Sequence, residues 1–183
     1  MKISDYLKQE TKELHQISEA LVINYIRNIN SEKDYTNLLK KFYVFNKEIH
    51  HFTNSHVQQF SEAYPFFQGL KQIENDFVAL KLDLPEVKEM KILSNLHSEQ
   101  QALCVHYVLQ GSSLGKPYIA KILNKLDFVS TDHYFNETSD ITPKDWDRFK
   151  SILNSTIPIT NSDEAIYWAN LTFKFLIDLF RKN

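Results

Sequence analysis

Glycine is scarce in this chain, and that scarcity limits the folds the chain can adopt. Only 3 of its 183 residues are glycine, where a protein of ordinary composition would have roughly a dozen. Folds rich in β-hairpins need glycine at turns with positive φ, and phosphate-binding loops need clustered glycines after a strand. Both classes are therefore disfavoured. Two of the three glycines, Gly111 and Gly115, lie in the single stretch GSSLG.

Composition and charge exclude several classes of function. Hydrophobic residues make up 43% of the chain and charged residues 24%, which is a globular balance. The net charge of −2 gives no basic footprint for nucleic acid. The one cysteine, Cys104, rules out an internal disulfide framework and a cysteine zinc site. The N-terminal residues lack the apolar stretch of a secretory signal, and no apolar run approaches the ~18 residues of a membrane span. We expect a soluble, cytoplasmic protein with no nucleic-acid partner.

Helical spacing of apolar residues dominates the chain, as in the series Leu7, Leu14 and Leu21. Pro65 and Pro85 are each placed to open a helix, and Thr142 is placed to cap one. The pattern predicts helices over residues 4–27 and 31–60, from 65, from 85, from 94 or 95 to the GSSLG stretch, over 118–126, from 142, and over 162–181. Residues 127–141 have an irregular pattern. Without strand alternation, the chain is predicted to be one all-α domain over residues 1–183, with about seven or eight helices.

A histidine and a glutamate share one face of the first predicted helix. His15 and Glu19 are four residues apart, and Lys8 and Lys12 precede them on roughly the same side. A neutral histidine nitrogen can ligate iron while the other nitrogen binds an acceptor such as Glu19. Lysines on this side could pair with the carboxylates of a haem. The alternative is a half-exposed histidine beside a solvated charged face.

The spacing of Gly111 and Gly115 also has two interpretations. Two glycines at i and i+4 of a helix remove side chains from one face, so that a flat or bulky group can approach the backbone. Close packing of two helices, or a simple turn between them, would use the same residues.

Two further residue sets could carry other chemistry. Glu48 and His51 have the Glu-x-x-His spacing of carboxylate-bridged di-iron bundles, although no second copy is found. Cys104 is the one possible thiol nucleophile, and a buried structural cysteine on a helix is the alternative. Surface charge near a helix end is the alternative for Glu48 and His51.

Taken together, several blocks of this sequence resemble biliverdin-producing haem oxygenases. The segment LKQETKELHQISE, with Leu7, Thr11, His15 and Glu19, is similar to the proximal helix of that family. The segment YTNLLKKFYVFNKEI is similar to the next family block. The segment HYVLQGSSLGKPYIAKIL resembles the distal helix, especially in the bacterial branch, and the last helix is similar to the C-terminal block. The order and separation of the blocks also match.

The resemblance implies a haem-oxygenase-like helical bundle in which haem is both substrate and cofactor. Haem would be cleaved to biliverdin, carbon monoxide and ferrous iron, using O2 and electrons from a ferredoxin, a flavodoxin or a reductase. The resemblance also implies that His15 is the proximal iron ligand and that Glu19 holds the other ring nitrogen of His15. Gly111 and Gly115 would let the distal helix lie close to the haem face. The implied partners of the haem propionates are Lys8, Lys12 and, as a weaker candidate, Lys150.

Ser112 departs from a pattern common in the family. Many haem oxygenases have an aspartate directly after the first distal glycine, where it organises the water that delivers a proton. Serine can hold a water but offers no carboxylate, although the bacterial branch also often has serine here. Lys116 and Pro117 also follow Gly115 where small residues are common. We expect Pro117 to end or kink the helix.

Three functions stay open at the level of sequence. The first is haem oxygenase activity, with Gly111, Ser112 and Gly115 at the reaction site. The second is a haem-binding or sensing protein without turnover, which the serine at position 112 keeps possible. The third is a helical relative with different chemistry, either a di-iron oxidase using Glu48 and His51 or a thiaminase-like hydrolase using Cys104.

Overall fold

The computed structural model describes residues 2–64, 66, 69–87, 90–136 and 141–182. Within these ranges the protein is all-helical and has no β-strand, which confirms the predicted fold class. The described helices are α1 (Ile3–Glu10), α2 (Lys12–Arg27), α3 (Glu32–Val57), α4 (Gly69–Ala79), α5 (Glu99–Ser113), α6 (Lys116–Leu123), α7 (His133–Asn136), α8 (Pro143–Thr156) and α9 (Ser162–Arg181).

Two helix starts lie where capping residues predicted them. Ser31 is the N-cap of α3, and its side chain accepts a hydrogen bond from the backbone N–H of Asp34. Thr142 and Asp145 form a reciprocal capping box at the start of α8, with Pro143 in the first turn. These local hydrogen bonds satisfy backbone donors that a helix N-terminus otherwise leaves without partners.

The first predicted helix is divided in two at Thr11. The backbone there, at φ −97° and ψ 0°, leaves the helical region, and the Thr11 hydroxyl donates a hydrogen bond to the Leu7 carbonyl at 2.7 Å. Lys2 is the N-cap of α1. The predicted cap, Ser4, is instead buried inside the first turn, where its N–H donates to Asn154 Oδ1 on α8 at 2.9 Å.

The middle of the chain differs most from the predicted boundaries. Pro65 lies outside the described residues, and α4 begins at Gly69. Residues 82–87 are not helical, so the helix predicted to open at Pro85 is wrong for that range. Ser98 is the N-cap of α5. The predicted start at Ser94 or Asn95 is wrong, because both residues lie in a turn before α5, where the Ser94 hydroxyl donates to the Lys91 carbonyl.

The GSSLG stretch forms the junction of two helices. Helix α5 ends at Ser113, and Gly115 is the N-cap of α6, so the two glycines do not belong to one continuous helix. Pro117 lies in the first turn of α6. The first residues of a helix donate no hydrogen bond within the helix, so the missing N–H of a proline costs nothing there. Pro117 therefore helps to begin α6, and the expectation that it ends or kinks a helix is wrong.

Helix α9 is the central element of the packing. It contacts α1, α2, α3 and α5, while α6 contacts α2 and α7. Aromatic side chains fill the core, for example Phe45 of α3 against Phe175 of α9 with ring centroids 5.5 Å apart. None of the helices in the described part of the chain is both long and apolar enough to cross a bilayer. This packing leaves a cleft between α2 and the α5–α6 junction.

Candidate functional site

A cleft of about 550 Å³ opens between α2 on one side and the α5–α6 junction on the other. Residues of α3, α7 and α9 also line it. Its size and largely apolar lining are typical of a site for a small organic ligand or cofactor. The lining residues are His15, Gln16, Ser18, Glu19, Ala20, Val22, Ile23, Phe42, Gly111, Ser112, Gly115, Lys116, Tyr118, Ile119, Tyr134, Phe135, Phe173 and Leu176.

His15 lies in the α2 wall of the cleft. Its Nδ1 is 3.5 Å from Glu19 Oε2, and its ring meets Phe173 of α9 edge-on, with centroids 5.7 Å apart. The side chain is 48% exposed, so the ring is accessible from the cleft. With Nδ1 directed at Glu19, Nε2 is the ring nitrogen available to a ligand. The predicted pairing of His15 with Glu19 is therefore present, at a distance long for a hydrogen bond.

The opposite wall is the α5–α6 junction, where Gly111, Ser112 and Gly115 line the cleft. A Cβ placed on Gly111 would lie 3.4 Å from Cη2 of Trp146 on α8. One placed on Gly115 would lie 3.4 Å from the Ser112 carbonyl oxygen. The backbone of Gly111 therefore faces both the cleft and the indole ring, and the space where its side chain would begin borders Trp146.

The two serine hydroxyls of the junction both donate to helix carbonyls. Ser112 Oγ donates to the Leu109 carbonyl at 2.8 Å, and Ser113 Oγ donates to the Gln110 carbonyl at 2.6 Å. Ser113 is buried and does not line the cleft. A hydroxyl that donates keeps lone pairs with which to accept. Ser112 Oγ can thus accept a hydrogen bond from a water in the cleft.

Aromatic residues that the sequence pattern did not mark as site residues form the floor of the cleft. Phe42 of α3 packs against Tyr134 and Phe135 of α7, with centroids 5.2 and 5.8 Å apart. Phe173 and Leu176 of α9 complete this apolar surface. The segment 127–141 was predicted to be irregular, and its short helix α7 has no periodic signal of its own. Only tertiary contacts make Tyr134 and Phe135 part of the site.

Asp76 of α4 anchors the segment that carries α7. Its Oδ1 accepts hydrogen bonds from Thr131 Oγ1 at 2.7 Å and from the His133 N–H at 2.8 Å. Its Oδ2 accepts from the Tyr134 N–H at 2.9 Å. The carboxyl is fully buried, and desolvation raises its pKa although these hydrogen bonds oppose the shift. Asp76 thereby fixes the backbone that presents Tyr134 and Phe135 to the cleft.

Lys116, the first residue of α6, brings a positive charge into the cleft wall. It is only 3% exposed, and its Nζ donates to Gln72 Oε1 on α4 at 3.0 Å. The same Nζ lies 4.0 Å from the ring centroid of Tyr134. In the sequence, Lys116 stands out only as a departure from the small residues common after the second distal glycine. Its burial depends on α4 and α7, which are distant in sequence.

The three lysines predicted to meet haem propionates do not line the cleft. Lys8 and Lys12 are exposed on α1 and α2. Lys150 of α8 pairs with Asp147 Oδ1 at 2.8 Å and lies 6.0 Å from the Trp146 ring centroid. The structure therefore brings His15, Glu19, Gly111, Ser112 and Gly115 together and leaves these lysines outside.

The residues proposed for other chemistries do not form sites. Glu48 is buried, and its Oε1 accepts the Ile92 N–H at 2.8 Å, whereas His51 is exposed. Among the described residues, no group of three His, Cys, Asp or Glu side chains is arranged to hold a metal ion. Cys104 is buried in the core, and burial raises the pKa of its thiol. A buried, protonated thiol is a poor nucleophile.

A buried chain of hydrogen bonds joins α5 to Tyr64 and to Thr53 of α3. Tyr64 Oη donates to Gln110 Oε1 at 3.2 Å, and Gln110 Nε2 lies 3.1 Å from His106 Nδ1. His106 Nε2 lies 2.8 Å from Thr53 Oγ1, which donates to the Ile49 carbonyl. These directions fit a neutral His106 protonated at Nε2. Burial, followed by the charge of a neighbouring histidine, lowers the pKa of His106 to about 3.

Comparison with known proteins identifies the family. The family model described as Heme oxygenase matches residues 1–182, and this chain belongs to the haem oxygenase family. The NO- and CO-bound haem oxygenase from Neisseria meningitidis has a similar structure, with a TM-score of 0.77 and 22% identity over 100% of this chain and 92% of that one. Haem oxygenase from Leptospira interrogans has a TM-score of 0.78 and 14% identity over 100% of both chains. At these identities the likeness establishes a shared fold. No curated protein sequence matches the chain.

Proposed function

We propose that this protein, acting as one domain over residues 1–183, is a haem oxygenase that cleaves haem to biliverdin, carbon monoxide and ferrous iron. It would use O2 and electrons from an external donor such as a ferredoxin, a flavodoxin or a reductase. The observation that carries the proposal is that His15 and Ser112 lie in opposite walls of one cleft, in a chain of this family.

The cleft fits a flat aromatic ligand with an iron at its centre. Its floor is built from the aromatic rings of Phe42, Tyr134, Phe135 and Phe173, which can pack against a macrocycle. His15 offers a ring nitrogen on one side, and the other side is backbone without a competing side-chain ligand at Gly111 and Gly115. When bound, haem would supply the iron at which oxygen is activated and the ring carbon that is oxidised.

His15 would hold the iron through Nε2, with Glu19 as the partner of Nδ1. An acceptor beside Nδ1 keeps the proton on that nitrogen and leaves Nε2 unprotonated for the metal. Glu19 is 63% exposed and 3.5 Å away, so it would orient the ring more than it changes the ligand's basicity. Phe173 limits the ring's rotation from the other side.

Ser112 would hold the water that delivers protons on the other side of the cleft. Its hydroxyl donates to the Leu109 carbonyl, so it would accept a hydrogen bond from that water. It has no acidic proton of its own to deliver at neutral pH. The proton would therefore reach the site from solvent through water, with Ser112 fixing where the last water lies.

Hemin binding followed by reductant-driven turnover tests the proposal. Purified protein mixed with hemin should develop a Soret band, and addition of reductant in air should replace it with the spectrum of biliverdin. Absence of hemin binding by the wild-type protein would rule the proposal out. A stable complex that yields no biliverdin would support the second candidate, a haem-binding protein without turnover. The absence of a carboxylate at position 112 is the observation that favours that candidate.

A further inference from the structure

We propose that Asp76 of α4 is a positioning residue for the substrate, because it holds the segment 131–134 and thereby sets where the macrocycle packs on the aromatic floor of the cleft. This role rests on the proposed function, since the ligand is that of the same cleft. Asp76 does not itself line the cleft. It would act through Tyr134 and Phe135, which do.

The segment that carries Tyr134 and Phe135 needs support from outside itself. Helix α7 has only the four residues His133–Asn136, and a single turn of helix is not stable alone. Residues 124–132, which precede it, are not helical. The position of the two aromatic rings therefore depends on contacts with other helices, and α7 contacts α4 and α6.

The carboxyl group of Asp76 supplies three such contacts. Its Oδ1 accepts hydrogen bonds from Thr131 Oγ1 at 2.7 Å and from the His133 N–H at 2.8 Å. Its Oδ2 accepts from the Tyr134 N–H at 2.9 Å. The residue is fully buried, and hydrogen bonds that a carboxylate accepts are stronger than those between neutral groups. Three donors within four consecutive residues leave the segment 131–134 little freedom to shift relative to α4.

The side chain of Tyr134 is held at its other end by α3. Asn46 donates from Nδ2 to Tyr134 Oη at 3.3 Å, and the ring of Phe42 packs against the Tyr134 ring with centroids 5.2 Å apart. The tyrosine ring is therefore held between its backbone, which Asp76 fixes, and its contacts with α3. A shift of the backbone at Tyr134 would tilt the ring and change the surface that the floor offers to a ligand.

This arrangement makes the protein sensitive to a small change at position 76. Asparagine has the shape of aspartate but only one acceptor oxygen, and its other terminal group is a donor. In Asp76→Asn, either the Tyr134 N–H or the His133 N–H would therefore face another donor. A buried donor that loses its acceptor is costly, so the segment 131–134 should loosen and the floor of the cleft should shift.

Glu48 of α3 provides a matched control. Like Asp76, it is a buried carboxyl group that accepts a backbone N–H, here that of Ile92 at 2.8 Å. Neither Glu48 nor Ile92 lines the cleft. Glu48→Gln therefore replaces a buried carboxyl group by an amide without altering the aromatic floor.

Amide hydrogen exchange and hemin titration together test the proposal. In the ligand-free protein, Asp76→Asn should speed amide exchange across residues 131–135. Hemin titration of the same variant should give a dissociation constant about fivefold or more above that of the wild type, and turnover should give a different ratio of biliverdin isomers. Glu48→Gln should keep the wild-type dissociation constant, isomer ratio and exchange rates in residues 131–135.

Unchanged exchange across residues 131–135 in Asp76→Asn would contradict the proposal. Faster exchange with wild-type hemin binding and isomer ratio would show that Asp76 has only a structural role, and equal changes in Glu48→Gln would show that the effect is not specific to Asp76. If Asp76→Asn does not fold, Thr131→Val takes its place. That variant removes one of the three hydrogen bonds, so the dissociation constant should rise about twofold, and an unchanged value would count against the proposal. Hemin turnover by the wild-type protein tests the proposed function separately.

Discussion

The backbone of Gly111 lies against the indole ring of Trp146, so that a Cβ on Gly111 would be 3.4 Å from Cη2. The same ring stacks on Phe149 with ring centroids 5.5 Å apart, and its centroid is 5.4 Å from that of Tyr107. The cleft wall at Gly111 therefore also packs against α8. The missing side chain of Gly111 permits this helix packing and also leaves space in the ligand site.

Gly111→Val should therefore destabilise the protein by displacing Trp146. Overpacking of a core contact costs about 1–3 kcal/mol, whereas Gly111→Ala should be close to neutral, because higher helix propensity offsets the tight contact. Urea unfolding of both variants measures this difference. In a Trp146→Ala background the cost of valine should shrink, and an undiminished cost would show that the indole ring is not what valine displaces.

His15→Ala should lose the native axial coordination of bound haem, since it removes the cleft-lining ring whose Nε2 would hold the iron. Added imidazole should restore a histidine-like absorption spectrum. Glu19→Gln should keep that spectrum and weaken hemin binding less than tenfold, because Glu19 is exposed and 3.5 Å from the ring. A His15→Ala variant with an unaltered spectrum would mean that another residue ligates the iron.

Ser112→Ala should slow turnover while leaving hemin affinity within about twofold of the wild type. Loss of one positioned proton-transfer group commonly costs a factor of ~100 or more, and a serine that only holds a water should cost about tenfold. Ser113→Ala is the matched control, because Ser113 is buried and does not line the cleft. Equal turnover in both variants would place the proton route elsewhere.

His106 should make the free energy of unfolding depend on pH in the acid range. Its pKa in the folded protein is about 3 because of burial, whereas in the unfolded chain it is near 6.5. Between these values the unfolded chain binds a proton that the folded protein does not. The free energy of unfolding should fall by about 1.4 kcal/mol per pH unit as the pH drops through this window.

His106→Gln tests this pH dependence, because glutamine does not titrate and can still donate to Thr53. Urea unfolding from pH 7 to pH 4 should give a shallower loss of stability than in the wild type. His51→Gln, at an exposed histidine on α3, should leave the pH dependence unchanged. If His106→Gln loses stability as steeply as the wild type, His106 is not the group responsible.

What the sequence could predict depended on how local the determining contacts are. The start of α8 was predictable, since Thr142 and Asp145 cap the helix within one turn. The His15–Glu19 pair was predictable for the same reason. The break at Thr11 was missed, because the apolar spacing continues across it on both sides.

The rest of the site depends on contacts between distant parts of the chain. Lys116 is buried against Gln72, and Asp76 holds the segment that carries Tyr134. These partners are 44 and 58 residues apart, so periodicity within a window cannot reveal them. The lysine and the aromatic floor of the cleft could therefore be identified only from the structure, whereas the residues of its two walls were predicted from the sequence.

Product analysis after a single turnover tests whether this protein is a haem oxygenase. The hemin complex would be reduced in air with catalase present, and biliverdin, carbon monoxide and ferrous iron would be quantified together. The wild-type protein should give equimolar amounts of all three, unaffected by catalase, and His15→Ala should lose them. A hemin complex that survives reduction, or ring opening that catalase abolishes, would contradict haem oxygenase activity.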